Sequence, residues 1–199
     1  MYPKTVLVTG PVRKPVDIIN AKDQLRVDLE FEDDNSYIEG LIVAATGLVE
    51  NITGRKLITQ KWNAYFDTWP KDHFEIPFGK LQTVHSITYT DSGNNLATWN
   101  TNSYLVDSYS DPGEIIPAYG QQWPAVTLRP VNAICIQFSC GYGGNETTVP
   151  EDLCHAIKLL MTHWYENRET VVVGTITGKI PKTVDSILSH YFLWNYHHV

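Results

Sequence analysis

The side chains best equipped for chemistry are histidines, carboxylates and cysteines, and their spacing decides what they can do. His155, His163 and Glu166 crowd the stretch CHAIKLLMTHWYENRE. A zinc site on one helix takes ligands at i and i+4, so that both reach one ion. His155 and His163 stand eight positions apart, about two turns, which is too far. His163 and Glu166, three apart, can share an ion or simply hydrogen-bond. Cys154 and His155 are adjacent, so on a helix they diverge, and a nucleophile–base pair needs proximity in space. Cys154 reads as a small buried hydrophobe. Asp67, Asp72, His73 and Glu75 fall in DTWPKDHFEIP, where paired carboxylates could do acid–base work. Nothing fixes their geometry, and solvated loop charges are the plainer reading. CGYGGN, at 140–145, lacks the Lys-Ser/Thr of a phosphate loop and the spacing of a dinucleotide fingerprint. It reads as a turn between a strand and a helix. These residues give no catalytic set and no metal set.

The elements around them form three zones. The first, 16–54, is helical. Asp17 can cap a short helix to about Val27, with Ile18, Ala21 and Leu25 on one side. A second helix follows EFEDDNS, with Ile38, Leu41, Ile42, Ala45, Leu48, Val49 and Ile52 at the 3–4 spacing of a buried stripe. Ser36 and Glu39 have capping-box spacing, with Asp33 or Asp34 as alternative caps, and Gly54 is a natural stop. The second zone, 57–144, is strand-rich. LITQKWNAYF places Ile58, Trp62, Ala64 and Phe66 on one face. SITYTDSGNNLATW reads as strand, turn, strand. SYLVD is a short strand, and NAICIQFSC alternates Ile134, Ile136 and Phe138. The third zone, 148–196, is helical again. Thr148 and Glu151 have capping-box spacing, and the stripe Leu153, Ile157, Leu160, Met161, Trp164 follows. Pro181 opens a last helix with Val184, Ile187, Leu188, Tyr191 and Trp194 on one face. The expectation is a single α+β domain over 1–199, a helical bundle with a small antiparallel β insertion.

Composition limits the functions. The chain has 199 residues, 43% hydrophobic and 19% charged, which is globular and not disordered. Its net charge of −7 and the lack of a Lys/Arg cluster argue against tight nucleic-acid binding. Three cysteines without a CxxC suit a reducing compartment. The N-terminus lacks the apolar core of a signal peptide, and no run of 18 apolar residues suggests a membrane span. Production in a cytoplasm is expected. Six Trp and eleven Tyr exceed what a small core needs, and such residues are enriched in interfaces. The tail HYFLWNYHHV is aromatic and nearly uncharged, which suits either a partner-binding end or one that packs back on its own domain.

The order of these pieces resembles the head–tail connector (adaptor) family of tailed double-stranded DNA phages. The resemblance runs from AKDQLRVD (21–28) through DDNSYIEGLIVAATGLVENITGRKLI (33–58), TQKW (59–62), FEIPFGKLQTVHSITYTDSG (74–93), IQFSCGYGG (136–144) and VPEDLCHAIKLLMTHWYENRE (149–169) to ILSHYFLW (187–194). Joint order and spacing carry it, not any single motif. It implies a structural virion protein, made in the host cytoplasm and placed at the head–tail neck. It implies a self-assembled ring of about a dozen subunits beneath the portal. The ring would extend the DNA channel without sequence-specific binding and would dock neck or tail-completion proteins. No catalysis, cofactor, metal or membrane is implied. Where family members often show Tyr-Arg in the last helix, this chain has Tyr191-Phe192. A ring of heterologous contacts needs two different patches per subunit. The 168–180 loop, with Arg168, Val171, Val172 and Val173, and the end with Tyr191, Trp194 and Tyr196 are the candidates for portal or subunit contact. The β-branched run Val171–Val173 could add to another subunit's sheet edge. The competing readings are a stopper or tail-completion protein, disfavoured by the helical zones, and a metal-dependent hydrolase using His155, His163 or His73.

Overall fold

The structure is a computed structural model that describes residues 3–167 and 181–193. The chain builds two compact units, one from Met1–Pro11 and Thr59–Gly141, the other from Val12–Ile58 and Tyr142–Val199.

The first unit is built mainly from strands, with a short 3-10 turn at Thr101–Ser103. β1 (Lys4–Thr9), β2 (Gln60–Phe66), β4 (Leu81–Thr90), β5 (Leu96–Thr98) and β8 (Ile134–Cys140) form one antiparallel sheet in the order β1-β2-β8-β4-β5. β3 (Phe74–Ile76), β6 (Tyr104–Asp107) and β7 (Gly113–Pro117) form a second, in the order β3-β7-β6. The period-2 alternation predicted for β8 is present, with Ile134, Ile136, Phe138 and Cys140 buried. These side chains join Ala64, Phe66, Phe74, Ile76, Ile87 and Ile115 in one core. Gly113 lets β7 lie close to β4, because a Cβ there would stand 2.5 Å from Leu81 Cβ. Trp69 stacks on Trp123 at 5.4 Å, and Trp99 lies 5.0 Å from Trp123. The indole N–H groups of Trp69 and Trp123 are buried without a hydrogen-bond partner. Weak N–H to ring contacts are the compensation such a cluster offers.

The second unit is helical: α1 (Ile18–Leu25), α2 (Asn35–Thr53), α3 (Glu151–Glu166) and α4 (Lys182–Ser189). Asp17 caps α1, its Oδ1 accepting from the Asn20 amide at 2.7 Å. The stripes of α2 (Ile38, Leu41, Ile42, Ala45, Val49) and α3 (Leu153, Ile157, Leu160, Met161, Trp164) are buried against each other, with Val184 and Leu188 of α4. Each fully buried aliphatic side chain stabilises by about 1.5–3 kcal/mol relative to exposure. Gly54 ends α2 at φ 70°. Neither capping box forms. Asp34 is the N-cap of α2, and Pro150 that of α3, while the Thr148 hydroxyl donates to the Asn145 carbonyl at 2.6 Å. α4 stops at Ser189, so Tyr191 lies beyond the helix; Trp194 lies outside the described residues.

The expected helical bundle with a small β insertion is therefore corrected. Among the described residues there are eight strands in two antiparallel sheets as well as four helices, and the strands have a core of their own. β1 also precedes the first helix and pairs with β2, so the sheet is not confined to the middle of the chain. The long 3–4 stripes of the helices give a strong local signal. The three- to five-residue β3, β5, β6 and β7 give a weak one, and their pairing is set by distant partners.

The turn leaving β6 carries a test of local electrostatics. Asp107 accepts from the Ser110 hydroxyl at 2.6 Å and from the Tyr109 and Ser110 amides at 2.8 and 3.1 Å. The Ser110 side-chain bond, then the two amides, hold its carboxyl below the ordinary 3.8. A depressed folded pKa contributes stability that is present above the unfolded value and lost as pH falls through the folded one. Turn 107–110 should thus stay closed at pH 4 and open only at lower pH. Amide shifts of Tyr109 and Ser110 followed from pH 6 to 2 would show it, and a midpoint at or above 3.8 would contradict it.

Candidate interaction surfaces

The structure separates most of the chemically suggestive residues. His155, His163 and Glu166 are exposed on α3, and the His163 carbonyl accepts from Asn167 Nδ2 at 2.7 Å. Among the described residues no three or more His, Cys, Asp or Glu side chains gather as a metal site would require. Cys154 is half-buried, its thiol donating to the Pro15 carbonyl at 3.4 Å, and burial pushes its pKa up. A raised thiol is a poor nucleophile at neutral pH. Of the DTWPKDHFEIP set, Asp67 accepts from the Asn132 amide at 2.6 Å and pairs with Lys4 at 3.6 Å. His73 lies 3.9 Å from Glu75 and 3.9 Å from Glu114, the latter brought in by the β3–β7 pairing. Asp72 is exposed. CGYGGN is the turn expected, with Gly141 at φ 126° and Gly143 against the Thr148 side chain.

One pair escaped the sequence reading. His85 Nε2 and Ser139 Oγ are 2.7 Å apart, on neighbouring strands β4 and β8. A Ser–His pair is the start of a nucleophile, but the base needs a third group that stabilises its cation. Desolvation first, then the Lys61 cation, lowers the His85 pKa. Lys61 therefore opposes the imidazolium that catalysis would form.

What the surface does present is contact area. β1 is exposed along most of its length, with Val6 at 53%, Leu7 at 47% and Val8 at 45%. Leu105 and Ile116 pair across β6 and β7 and are both exposed. Between α1 and α2 an acidic loop lifts Leu29 and Phe31 outward. Buried Lys22 holds that loop, its ammonium donating to the Leu29 and Phe31 carbonyls at 2.9 and 2.7 Å. A buried lysine is tolerated when such acceptors satisfy it. Lys22 had no local signal in the sequence, because its partners lie seven and nine residues away.

Of the residues expected at a portal or subunit contact, only Tyr191 is described. Its carbonyl accepts from Arg55 Nε at 2.6 Å, and its hydroxyl meets Asp152 Oδ2 at 3.4 Å. Burial and then the Asp152 charge raise its pKa. Two residues on, the Leu193 amide donates to the Thr53 carbonyl at 3.0 Å, and Leu193 is buried. This pins the chain to the end of α2 just before residue 194. Arg168, Val171, Val172, Val173, Trp194 and Tyr196 lie outside the described residues.

Residues 22–192 match the family model of the head completion protein. This chain belongs to the head completion protein family. That agrees with the phage head–tail connector resemblance read from the sequence, and this family is a structural one, not an enzyme class. No curated protein matches the sequence. Among solved structures, a chain from the neck of an empty gene transfer agent particle, computed with C6 symmetry, superposes with a TM-score of 0.77 at 19% identity, over 95% of each chain. A chain from the virion of the native gene transfer agent particle gives 0.74 at 19% identity, over 94% of each. One from the native neck computed with C12 symmetry gives 0.73 at 18% identity, over 95% of this chain and 94% of the other. At these identities the likeness is one of fold. The fold is thus shared with these chains over 94–95% of this chain.

Proposed function

We propose that this head completion protein is a structural component of the virion neck. It forms a ring of about a dozen copies beneath the portal, joins the DNA-filled head to the tail and extends the DNA channel. The family match over residues 22–192 carries the reading. The likeness of fold to chains from gene transfer agent necks supports it. The net charge of −7 suits a channel along which DNA slides without sticking. Its partners are the portal protein, further neck or tail-completion proteins and other copies of itself. The reading needs no catalysis. Portal or subunit contact falls to Arg168, Val171, Val172 and Val173 and to Tyr191, Trp194 and Tyr196. The pinning of Tyr191 and Leu193 gives the residues that follow a fixed point of departure.

Electron microscopy of particles made without this gene product is the test. Filled or leaking heads beside unjoined tails are expected. Normal infectious particles would end the neck reading.

A further inference from the structure

We infer that the outward face of the five-stranded sheet is the face that meets DNA, and that Lys61, Ser139 and His85 form its contact for a backbone phosphate. The inference rests on the ring reading above and names the surface of each copy that lines the channel.

The face is built by alternation. In β8 every second side chain is buried, and those between, Cys135, Gln137 and Ser139, are partly exposed. Register sets Tyr65, Asn63 and Lys61 of β2 opposite them, on the same face. On the other side, β4 sets Thr88, Ser86 and Thr83 opposite the same three residues. Asn63 Oδ1 accepts from Gln137 Nε2 at 3.1 Å, which ties the middle rung. The face is therefore polar, and it is free of acid. None of β1, β2, β4, β5 and β8 contains Asp or Glu, although the chain carries 22 acidic residues. Each strand of the smaller sheet does contain one: Glu75, Asp107 and Glu114. Asp67, just past β2, is paired with Lys4 at 3.6 Å. A polyanion is repelled by carboxylates, so an acid-free face is where it can approach.

The contact itself comes from a bulge. The β4 register shifts between Val84 and Ser86, and His85 is the additional residue. Bulges of this kind re-aim a side chain. Thr83 and His85 are both exposed, and His85 Nε2 lies 2.7 Å from Ser139 Oγ. Lys61 stands opposite Ser139 on the other flank. An ammonium, a hydroxyl and an imidazole from three adjacent strands thus share one spot. Lys61 is near enough to lower the His85 pKa, and no carboxylate offsets it. Among the described residues Lys61 has no carboxylate partner of its own. Two groups that can carry positive charge, side by side without a counter-charge, favour a bound anion.

Surroundings decide which anion. The acidic loop of a neighbouring copy, residues 28–34, would bring exposed Leu29 and Phe31 with it. Those side chains need an apolar pocket, whereas Lys61 is flanked by Asn63, Gln137 and Thr83. The sugar–phosphate backbone of duplex DNA asks only for cations and hydrogen-bond donors. One lysine per copy is a weak contact. Repeated around a ring, it would centre the duplex without arresting it.

Photo-cross-linking in filled heads tests the face. Purified Thr83→Cys and His155→Cys chains, each changed at an exposed position, are alkylated with a benzophenone maleimide and assembled onto filled heads made without this gene product. Wild type, treated alike, is the blank for the native cysteines. Irradiation should join Thr83→Cys to DNA well above the blank and leave His155→Cys at the blank. Assembled chains that give no adduct at position 83, or equal adducts at both positions, overturn the inference and leave the neck reading intact. Failure of the wild-type chain to assemble on the heads would overturn the neck reading itself, and this inference with it. Independently, the His85 and Ser139 resonances of the purified chain should shift on addition of a short DNA duplex at low salt. Lys61→Ala should weaken that binding alike for unrelated sequences and lower its salt slope by about 1. No shift, or a Lys61→Ala chain that binds as wild type does, overturns the phosphate contact. A shift with a peptide of residues 28–34 and none with the duplex would assign the site to a neighbouring copy and overturn it equally.

Discussion

Phe138→Ala is expected to cost the sheet unit about 3–5 kcal/mol, the range for removing a fully buried aromatic side chain. Phe138 is wholly buried in the middle of β8, opposite Trp62 of β2 and Val84 of β4. Its cross-strand neighbours come from two strands that are hydrogen-bonded to β8 on either side, which limits how far they can close on the cavity. The large value is thus expected over the small one. Trp62, Trp69, Trp99 and Trp123 all lie in this unit and report on it by fluorescence. Denaturant unfolding followed by tryptophan emission should move to clearly lower midpoint. A loss below about 1 kcal/mol would mean the core relaxes in a way that these packed strands do not suggest.

The second large effect is electrostatic. Glu50 and Lys56 form an ion pair at 2.9 Å, with side chains only 12% and 15% exposed, and the other carboxylate oxygen accepts from the Leu57 amide at 3.0 Å. Removing one partner of a largely buried pair weakens what holds the other charge, at up to roughly 3–5 kcal/mol. Glu50→Ala should cost that, and more than Lys56→Ala, because it also orphans an amide. Glu50→Leu with Lys56→Met removes both charges, and apolar replacement of such pairs is often close to neutral. The double variant should regain most of the loss and keep a deficit of about 1–3 kcal/mol from the Leu57 N–H. Double-mutant unfolding measurements would check this. Additive losses would show that the two side chains do not act as a pair.

Much of the helical unit was legible because its signals are local. The stripes of α2 and α3, the Asp17 cap and the Gly54 stop each depend on residues within a turn or two. Neither capping box formed: Thr148 turns to the Asn145 carbonyl three residues back, and α2 takes Asp34, one of the alternative caps, as its N-cap. Asp34, the N-cap of α2, turns its carboxylate to the Tyr165 hydroxyl at 2.6 Å, a partner 131 positions away. The sheet unit shows the same division. β8 announces itself by alternation, and the Asp91–Asn94 turn by its residue types. β1 was missed although KTVLVT is a short β-branched run closed by Gly10-Pro11, because its pairing partner lies more than fifty residues on. The contact surfaces were less legible still. An outward face is a property of the assembled sheet, and the Lys22 anchor depends on how the chain turns after α1. Family resemblance supplied what residue chemistry could not.

The chain passes between its two units three times, after Pro11, after Ile58 and after Gly141. A single protease nick at any of these points would leave the units joined by two covalent tethers. Neither unit can be released, or expressed, as one uninterrupted segment. Tension applied between the units would be shared by three polypeptide lines in parallel, so failure would need three breaks where a bead-on-string protein needs one.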